Sequence, residues 1–105
     1  MLALTKHGSS VALTTVPDPV PLSHEAIVRV NTFSLSRYDL RDFADLPEGS
    51  LLGQDFAGML VQYPAVIDPT AQVTPVQGAR VFGTVRGGAW AELVAVPCTG
   101  RRRRR

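Results

Sequence analysis

The stretch Glu25-Ala26-Ile27-Val28-Arg29-Val30-Asn31-Thr32-Phe33 decides the fold, because it carries the clearest strand pattern in the chain. Ala26, Val28 and Val30 recur at every second position, which places their side chains on one face of an extended segment. Arg29 falls on the opposite face. Period-2 alternation with β-branched residues predicts a strand over residues 25–33.

Shorter apolar runs on both sides of this strand predict further strands, over residues 1–5, 11–16, 51–61, 79–85 and 89–96. The first two surround a Gly-Ser segment, which is typical of a hairpin or a connecting loop. Val85-Arg86-Gly87-Gly88 separates the last two and is interpreted as a hairpin turn. Several short strands in close succession predict a small antiparallel barrel.

Two segments interrupt the strands. Pro17, Pro19 and Pro21 exclude a helix or a central strand and predict an extended connector. Leu40 and Phe43 have helical spacing, so a short helix is predicted over residues 37–43, with Ser34 or Ser36 as its N-cap. The fold class is therefore mainly β with one short helix.

Length and charge bound the possible functions. The chain has 105 residues, enough for one domain, and 45% of them are hydrophobic. It contains no apolar run of transmembrane length, and its start lacks the order of a signal peptide, so a cytoplasmic protein is expected. One cysteine, Cys98, excludes an internal disulfide. Residues 1–100 hold six Lys or Arg against nine Asp or Glu, and the positive net charge comes from Arg101 to Arg105.

The residues alone offer few chemical candidates. Asp39 and Asp42 are interpreted as a solvated, partly ion-paired helix face, and His7 and His24 as surface histidines. The two glycines of residues 53–58 do not form the G-x-G-x-x-G fingerprint of a dinucleotide-binding loop. The segment is interpreted as a bulged strand with a buried, hydrogen-bonded Asp55.

Five blocks of sequence follow one another at residues 26–30, 34–39, 52–58, 78–83 and 88–97. Together they resemble the N-terminal, GroES-like domain of the medium-chain dehydrogenase/reductase superfamily, in its zinc-independent, quinone oxidoreductase-like branch. The resemblance implies a partly open β-barrel that carries the substrate side of an active site, beside a Rossmann domain that binds NADPH. It also implies a quinone, carbonyl or enone as the substrate.

The resemblance assigns roles by position. Ser36 and Asp39 are expected near the nicotinamide and the substrate. Tyr38 is a candidate donor of a hydrogen bond to a substrate carbonyl, and the alternative for it is a packed surface tyrosine. Gln54 and Asp55 are expected to brace the pocket. Ser36 and Gln54 stand where zinc alcohol dehydrogenases have a cysteine and a histidine. Because a hydroxyl and an amide are poor zinc ligands, no metal is expected.

The resemblance ends at Pro97. Residues 1–97 are therefore expected to be an incomplete GroES-like domain with the Rossmann domain absent, and residues 98–105 a disordered polybasic tail. Such a chain is expected not to bind NADPH or to be active alone, and its partner would be a Rossmann-domain chain. The alternatives are a stand-alone interaction module that self-associates through exposed strands, and a weak binder of nucleic acid or an anionic surface through Arg101 to Arg105.

Overall fold

The computed structural model describes residues 1–66 and 78–97. The predictions for Cys98, for Arg101 to Arg105 and for most of the proline-containing loop after residue 63 lie outside these residues. The described chain contains six strands, one α-helix and one 3₁₀ turn. In chain order these are β1 (Leu2–His7), β2 (Ser10–Thr15), β3 (Glu25–Ser34), α1 (Arg37–Asp42), the 3₁₀ turn (Phe43–Asp45), β4 (Asp55–Gln62), β5 (Arg80–Thr84) and β6 (Leu93–Pro97).

The strand over 25–33 is confirmed as β3, and it lies inside a four-stranded antiparallel sheet of order β5-β4-β3-β6. Its first half is buried because both neighbouring strands and the core cover it. Ala26 and Val28 are fully buried and pack in one cluster with Phe56, Leu60 and Val94. Ile27, which falls on the opposite face, is also buried, so the predicted alternation holds only from Val28 to Val30. The end of β3 from Asn31 onward is exposed.

The second sheet is the hairpin of β1 and β2, joined by a turn at Gly8 and Ser9. The other edge of β1 is bonded to loop segments of the larger unit. Leu4 N donates to Trp90 O at 2.8 Å, and Leu52 N donates to Leu4 O at 3.2 Å. These bonds and two isolated bridges connect the sheets, yet among the described residues the sheets stay open and do not close into a complete barrel. The mainly β class with one short helix is confirmed.

The hairpin predicted at Val85-Arg86-Gly87-Gly88 is wrong. β5 and β6 lie at opposite edges of the four-stranded sheet and do not pair with each other. Instead, Val85 N donates to Gln54 O at 2.7 Å and Gly88 N donates to Leu52 O at 3.2 Å. The segment is a loop held against residues 52–54, because its backbone donors find acceptors there and not in a second strand.

Two predicted strands also begin later than expected. The strand predicted from Leu51 begins at Asp55, and the strand predicted from Ala89 begins at Leu93. The residues in front of them, including Gly53 and Trp90, form loops that pack against each other. These loops, together with α1, build the walls of the candidate site.

No helix among the described residues has the length and apolar character needed to cross a membrane.

Candidate functional site

Ser36 and Asp39 hold each other at the start of α1. The Ser36 hydroxyl and its backbone N–H both donate to Asp39 Oδ2, at 3.1 and 2.9 Å, and Asp39 N–H donates to Ser36 Oγ at 3.4 Å. This reciprocal capping box satisfies donors that a helix start leaves without partners. It also fixes two of the predicted site residues relative to each other.

Lys6 ties the far end of the same segment to β1. Only 8% of Lys6 is exposed, and its Nζ donates to Ala44 O at 3.1 Å and to Leu46 O at 2.7 Å. The ammonium also lies 5.1 Å from the centre of the Phe43 ring, within range of a cation–π contact. The helical segment is therefore anchored at its start by the capping box and at its end by a buried lysine.

Two neighbouring depressions open beside this segment. We name the first the apolar cavity; its volume is about 320 Å³, within the size range of small-molecule sites. It is lined by Ser9, Val11, Asp39, Leu40, Asp42, Phe43, Leu46, Leu51, Leu52, Gly53, Gln54, Arg86 and Trp90.

The second depression, which we name the open cleft, is larger and more exposed, with a volume of about 1000 Å³. Asp42, Gln54 and Arg86 line both depressions, so the two adjoin. The open cleft is lined by Glu25, Ser36, Tyr38, Asp42, Gln54, Asp55, Thr84, Val85, Arg86, Gly87, Ala95 and Pro97.

The five residues assigned to the site by resemblance all line one or both of these depressions. Ser36, Tyr38, Gln54 and Asp55 line the open cleft, and Asp39 lines the apolar cavity, where Gln54 recurs. They come from α1 and from the chain around the start of β4, segments more than ten residues apart. Their roles toward a substrate or a cofactor stay predictions.

The side chains of Asp55, Tyr38 and Asp42 can be compared with what the sequence led us to expect. Asp55 is half-buried rather than buried, and its Oδ2 accepts a long hydrogen bond of 3.4 Å from the Ser34 hydroxyl. Tyr38 is 52% exposed, and the Arg41 guanidinium lies 4.8 Å from its ring centre. The predicted ion pairing on the helix face is present for Asp42, whose Oδ1 lies 3.1 Å from Arg41 Nε.

Trp90 packs partly against the core and forms a wall of the apolar cavity. Its Nε1 donates to Ser34 O at 3.2 Å, and its ring lies 5.5 Å from that of Phe33. The other wall residue missed from the sequence is Arg86. Its Gly-Gly context indicated a turn, and the wrong hairpin placed it away from residues 52–54.

The described residues do not fit a zinc ion. They contain no group of three or more His, Cys, Asp or Glu side chains positioned to hold a metal. At the two positions matched to zinc ligands, Ser36 uses its hydroxyl proton for Asp39, and Gln54 offers an amide.

The fold is shared with solved structures of much longer proteins. One is a human synaptic vesicle membrane protein VAT-1 homolog-like protein, with 24% identity and a TM-score of 0.74, over 92% of this chain and 33% of that one. Another is the quinone oxidoreductase from Coxiella burnetii, with 20% identity and a TM-score of 0.75, over 93% of this chain and 35% of that one. The chain thus spans about a third of the length of these proteins.

No family model matches the sequence, and no curated protein matches it. The two structural likenesses therefore carry the comparison, and at these identities they establish the fold. The fold that the resemblance implied is confirmed at that level, and membership of the superfamily stays a prediction.

Proposed function

We propose that this chain forms the substrate side of a zinc-independent, NADPH-dependent oxidoreductase that reduces a quinone, carbonyl or enone. One observation carries the proposal: the residues that the resemblance assigns to such a site meet at two adjoining depressions. The likeness in fold to a quinone oxidoreductase adds to it. The proposal includes a cytoplasmic location, with which the single cysteine of the chain is compatible.

The apolar cavity suits a small ring compound. Leu40, Leu46, Leu51 and Leu52 give it aliphatic walls, and the Trp90 ring supplies an aromatic surface. A planar quinone buries its ring among such side chains while its oxygens remain near polar groups at the rim. Those rim groups include Gln54, which faces both depressions.

The two glycines that invite comparison with a phosphate loop are both used for close packing. A Cβ at Gly53 would lie 2.7 Å from Trp90 Nε1, and a Cβ at Gly58 would overlap the Arg29 carbonyl. In this proposal the cofactor is held by a segment outside the described residues, in the same polypeptide or in a partner chain, and residues 1–105 alone are inactive.

Trp90 provides a direct test, because it is the single tryptophan of the chain and lines the apolar cavity. Duroquinone, a fully substituted quinone that resists addition of thiols, is titrated while Trp90 fluorescence is recorded. We expect saturable quenching with an unchanged lifetime of the remaining emission, as static binding requires. The same titration of N-acetyltryptophanamide, which has no binding site, measures the collisional quenching, and this is subtracted from the quenching of Trp90.

Two leucine variants give matched controls. Leu40 is 67% exposed and lines the apolar cavity, whereas Leu13 is 66% exposed on β2 and lines neither depression. Leu40→Gln is expected to weaken the quenching, and Leu13→Gln is expected to leave it unchanged. Collisional quenching only, or equal effects of the two variants, would contradict a quinone site in this cavity.

The role of the cofactor is tested separately. NADPH oxidation in the presence of duroquinone is followed at 340 nm with residues 1–105 alone. We expect no rate above the buffer, since hydride transfer requires a nicotinamide positioned against the substrate. Quinone-dependent oxidation by this chain would overturn the assignment of the cofactor to another segment.

A further inference from the structure

Arg86 holds a central position that the proposed function leaves unused. It is one of three residues that line both the apolar cavity and the open cleft. It is also the only positively charged residue among the linings of the two depressions. Its side chain makes no hydrogen bond or ion pair with any residue that the structure describes, and it is exposed.

The backbone that carries Arg86 is fixed on both sides. On the N-terminal side of Arg86, Val85 N donates to Gln54 O at 2.7 Å. On its C-terminal side, Gly88 N donates to Leu52 O at 3.2 Å. Ala89 N adds a further bond to Gly53 O at 3.1 Å. The loop therefore places one long cationic side chain where the two depressions meet, on a backbone that is hydrogen-bonded to residues 52–54.

The other polar groups of the site carry no positive charge, and two of them already have partners. The Ser36 hydroxyl donates to Asp39, and Asp42 is paired with Arg41. The lining carboxylates disfavour negative charge on a ligand at most points of the walls. An anionic ligand oxygen therefore has its favourable position at Arg86.

We propose that Arg86 binds the anionic oxygen that a quinone or enone acquires on reduction, a step beyond the proposed function and resting on it. A reduced nicotinamide, held by a segment outside the described residues, would supply the hydride. Its C–H bond would break as a C–H bond formed on carbon of the quinone or enone, and the carbonyl π pair would move to oxygen. The quinone or enone would be reduced, the nicotinamide would be oxidised, and solvent would later protonate the oxygen. A guanidinium positioned for that oxygen stabilises the charge through a strong charge-assisted hydrogen bond, which is the task a metal ion performs in zinc-dependent reductases.

The test compares two naphthoquinones of similar shape by calorimetry. 2-Hydroxy-1,4-naphthoquinone is an enolate at neutral pH and imitates the charged oxygen, whereas 2-methoxy-1,4-naphthoquinone is neutral. We expect the native chain to bind the enolate about tenfold more tightly, the gain of one charge-assisted hydrogen bond at a partly open site. Arg86→Gln is expected to remove this preference, so that the variant binds the two compounds with similar affinity. Arg86→Lys retains part of it because the charge remains.

Arg80→Gln is the matched control, because Arg80 is exposed on β5 and lines neither depression. The substitution removes the same single positive charge from the chain. It is expected to preserve the enolate preference. A preference that survives Arg86→Gln, or that is lost equally in Arg80→Gln, would overturn the role of Arg86 while leaving the quinone site intact. If the native chain binds neither compound, the proposed function fails together with the role of Arg86.

Discussion

The indole of Trp90 occupies the space where a side chain at position 53 would lie. Gly53 has φ +97°, a conformation that L side chains rarely adopt, and a Cβ there would overlap the pyrrole ring of Trp90. This contact joins the loop before β4 to the loop before β6. It also sets one corner of the apolar cavity, since both residues line it.

Gly53→Ala is therefore expected to destabilise the protein by about 3 kcal/mol, since backbone strain and overpacking both oppose it. Gly49→Ala is the matched control. Gly49 also has a positive φ, +81°, but nothing lies within 4 Å of its Cβ position. Only the strain remains there, about 1 kcal/mol. Urea unfolding measures both values, and equal losses in the two variants would show that the Trp90 contact contributes nothing.

A second prediction concerns the buried ammonium of Lys6. Lys6→Met keeps the aliphatic stem but removes the donor to Ala44 O and Leu46 O, with an expected loss of about 2 kcal/mol. Arg41→Met is its control: Arg41 also contacts an aromatic ring and pairs with Asp42, yet its side chain is 68% exposed. An exposed pair of this kind contributes about 0.5 kcal/mol. Thermal unfolding that ranks Arg41→Met as the more damaging change would refute the anchoring role of Lys6.

The capping box gives a third prediction. Ser36→Ala removes the side-chain partner of both Asp39 N–H and Asp39 Oδ2 and is expected to cost about 1 kcal/mol of stability. Ser36→Thr retains a capping hydroxyl and should recover most of that loss. Ser34→Ala, which removes only the 3.4 Å bond to Asp55, is expected to change stability by less than about 0.5 kcal/mol. Chemical denaturation of the three variants checks the order.

Local patterns predicted the elements that depend on local interactions. The period-2 pattern of residues 25–33 gave β3, and a serine three residues before Asp39 is the sequence signature of the capping box that the structure contains. The capping box is readable because its partners lie three residues apart, and β3 is readable because the pattern repeats along the strand itself, although its pairing partners β4 and β6 lie far away in the sequence.

The strand order and the reach of single side chains could not be predicted in the same way. The Gly-Gly pair after Arg86 indicated a turn, but no local feature shows that Val85 bonds to Gln54 and not to a following strand. No local feature of Lys6 shows that its Nζ reaches carbonyls about forty residues away. Contacts of this kind depend on how the loops pack, and one sequence carries little information about that.

The chemistry of Ser36 and Gln54 predicts that the purified protein holds no stoichiometric zinc. Mass spectrometry of metal content, after growth with added zinc, is expected to find far less than one zinc per chain. The double variant Ser36→Cys with Gln54→His supplies a thiolate and an imidazole in the same cleft. It should compete more strongly with a chromophoric chelator than the native chain does. A native chain that retains one equivalent of zinc would refute the prediction of a metal-free site.

The final prediction concerns self-association, the alternative role in which this domain acts as an interaction module. β5 lies at one edge of the described four-stranded sheet, and Phe82 on it is 78% exposed, whereas its neighbour across the pair, Ala57, is half-buried. An apolar, unpaired strand edge is a template for pairing with a second copy of the chain.

Sedimentation velocity at increasing concentration is expected to show a dimer that Phe82→Lys weakens, because a charge on an edge strand opposes pairing. Leu13→Lys is the control, since Leu13 is similarly exposed but lies on β2 in the other sheet. A native chain that stays monomeric at every concentration, or equal effects of the two lysines, would exclude β5 as the contact.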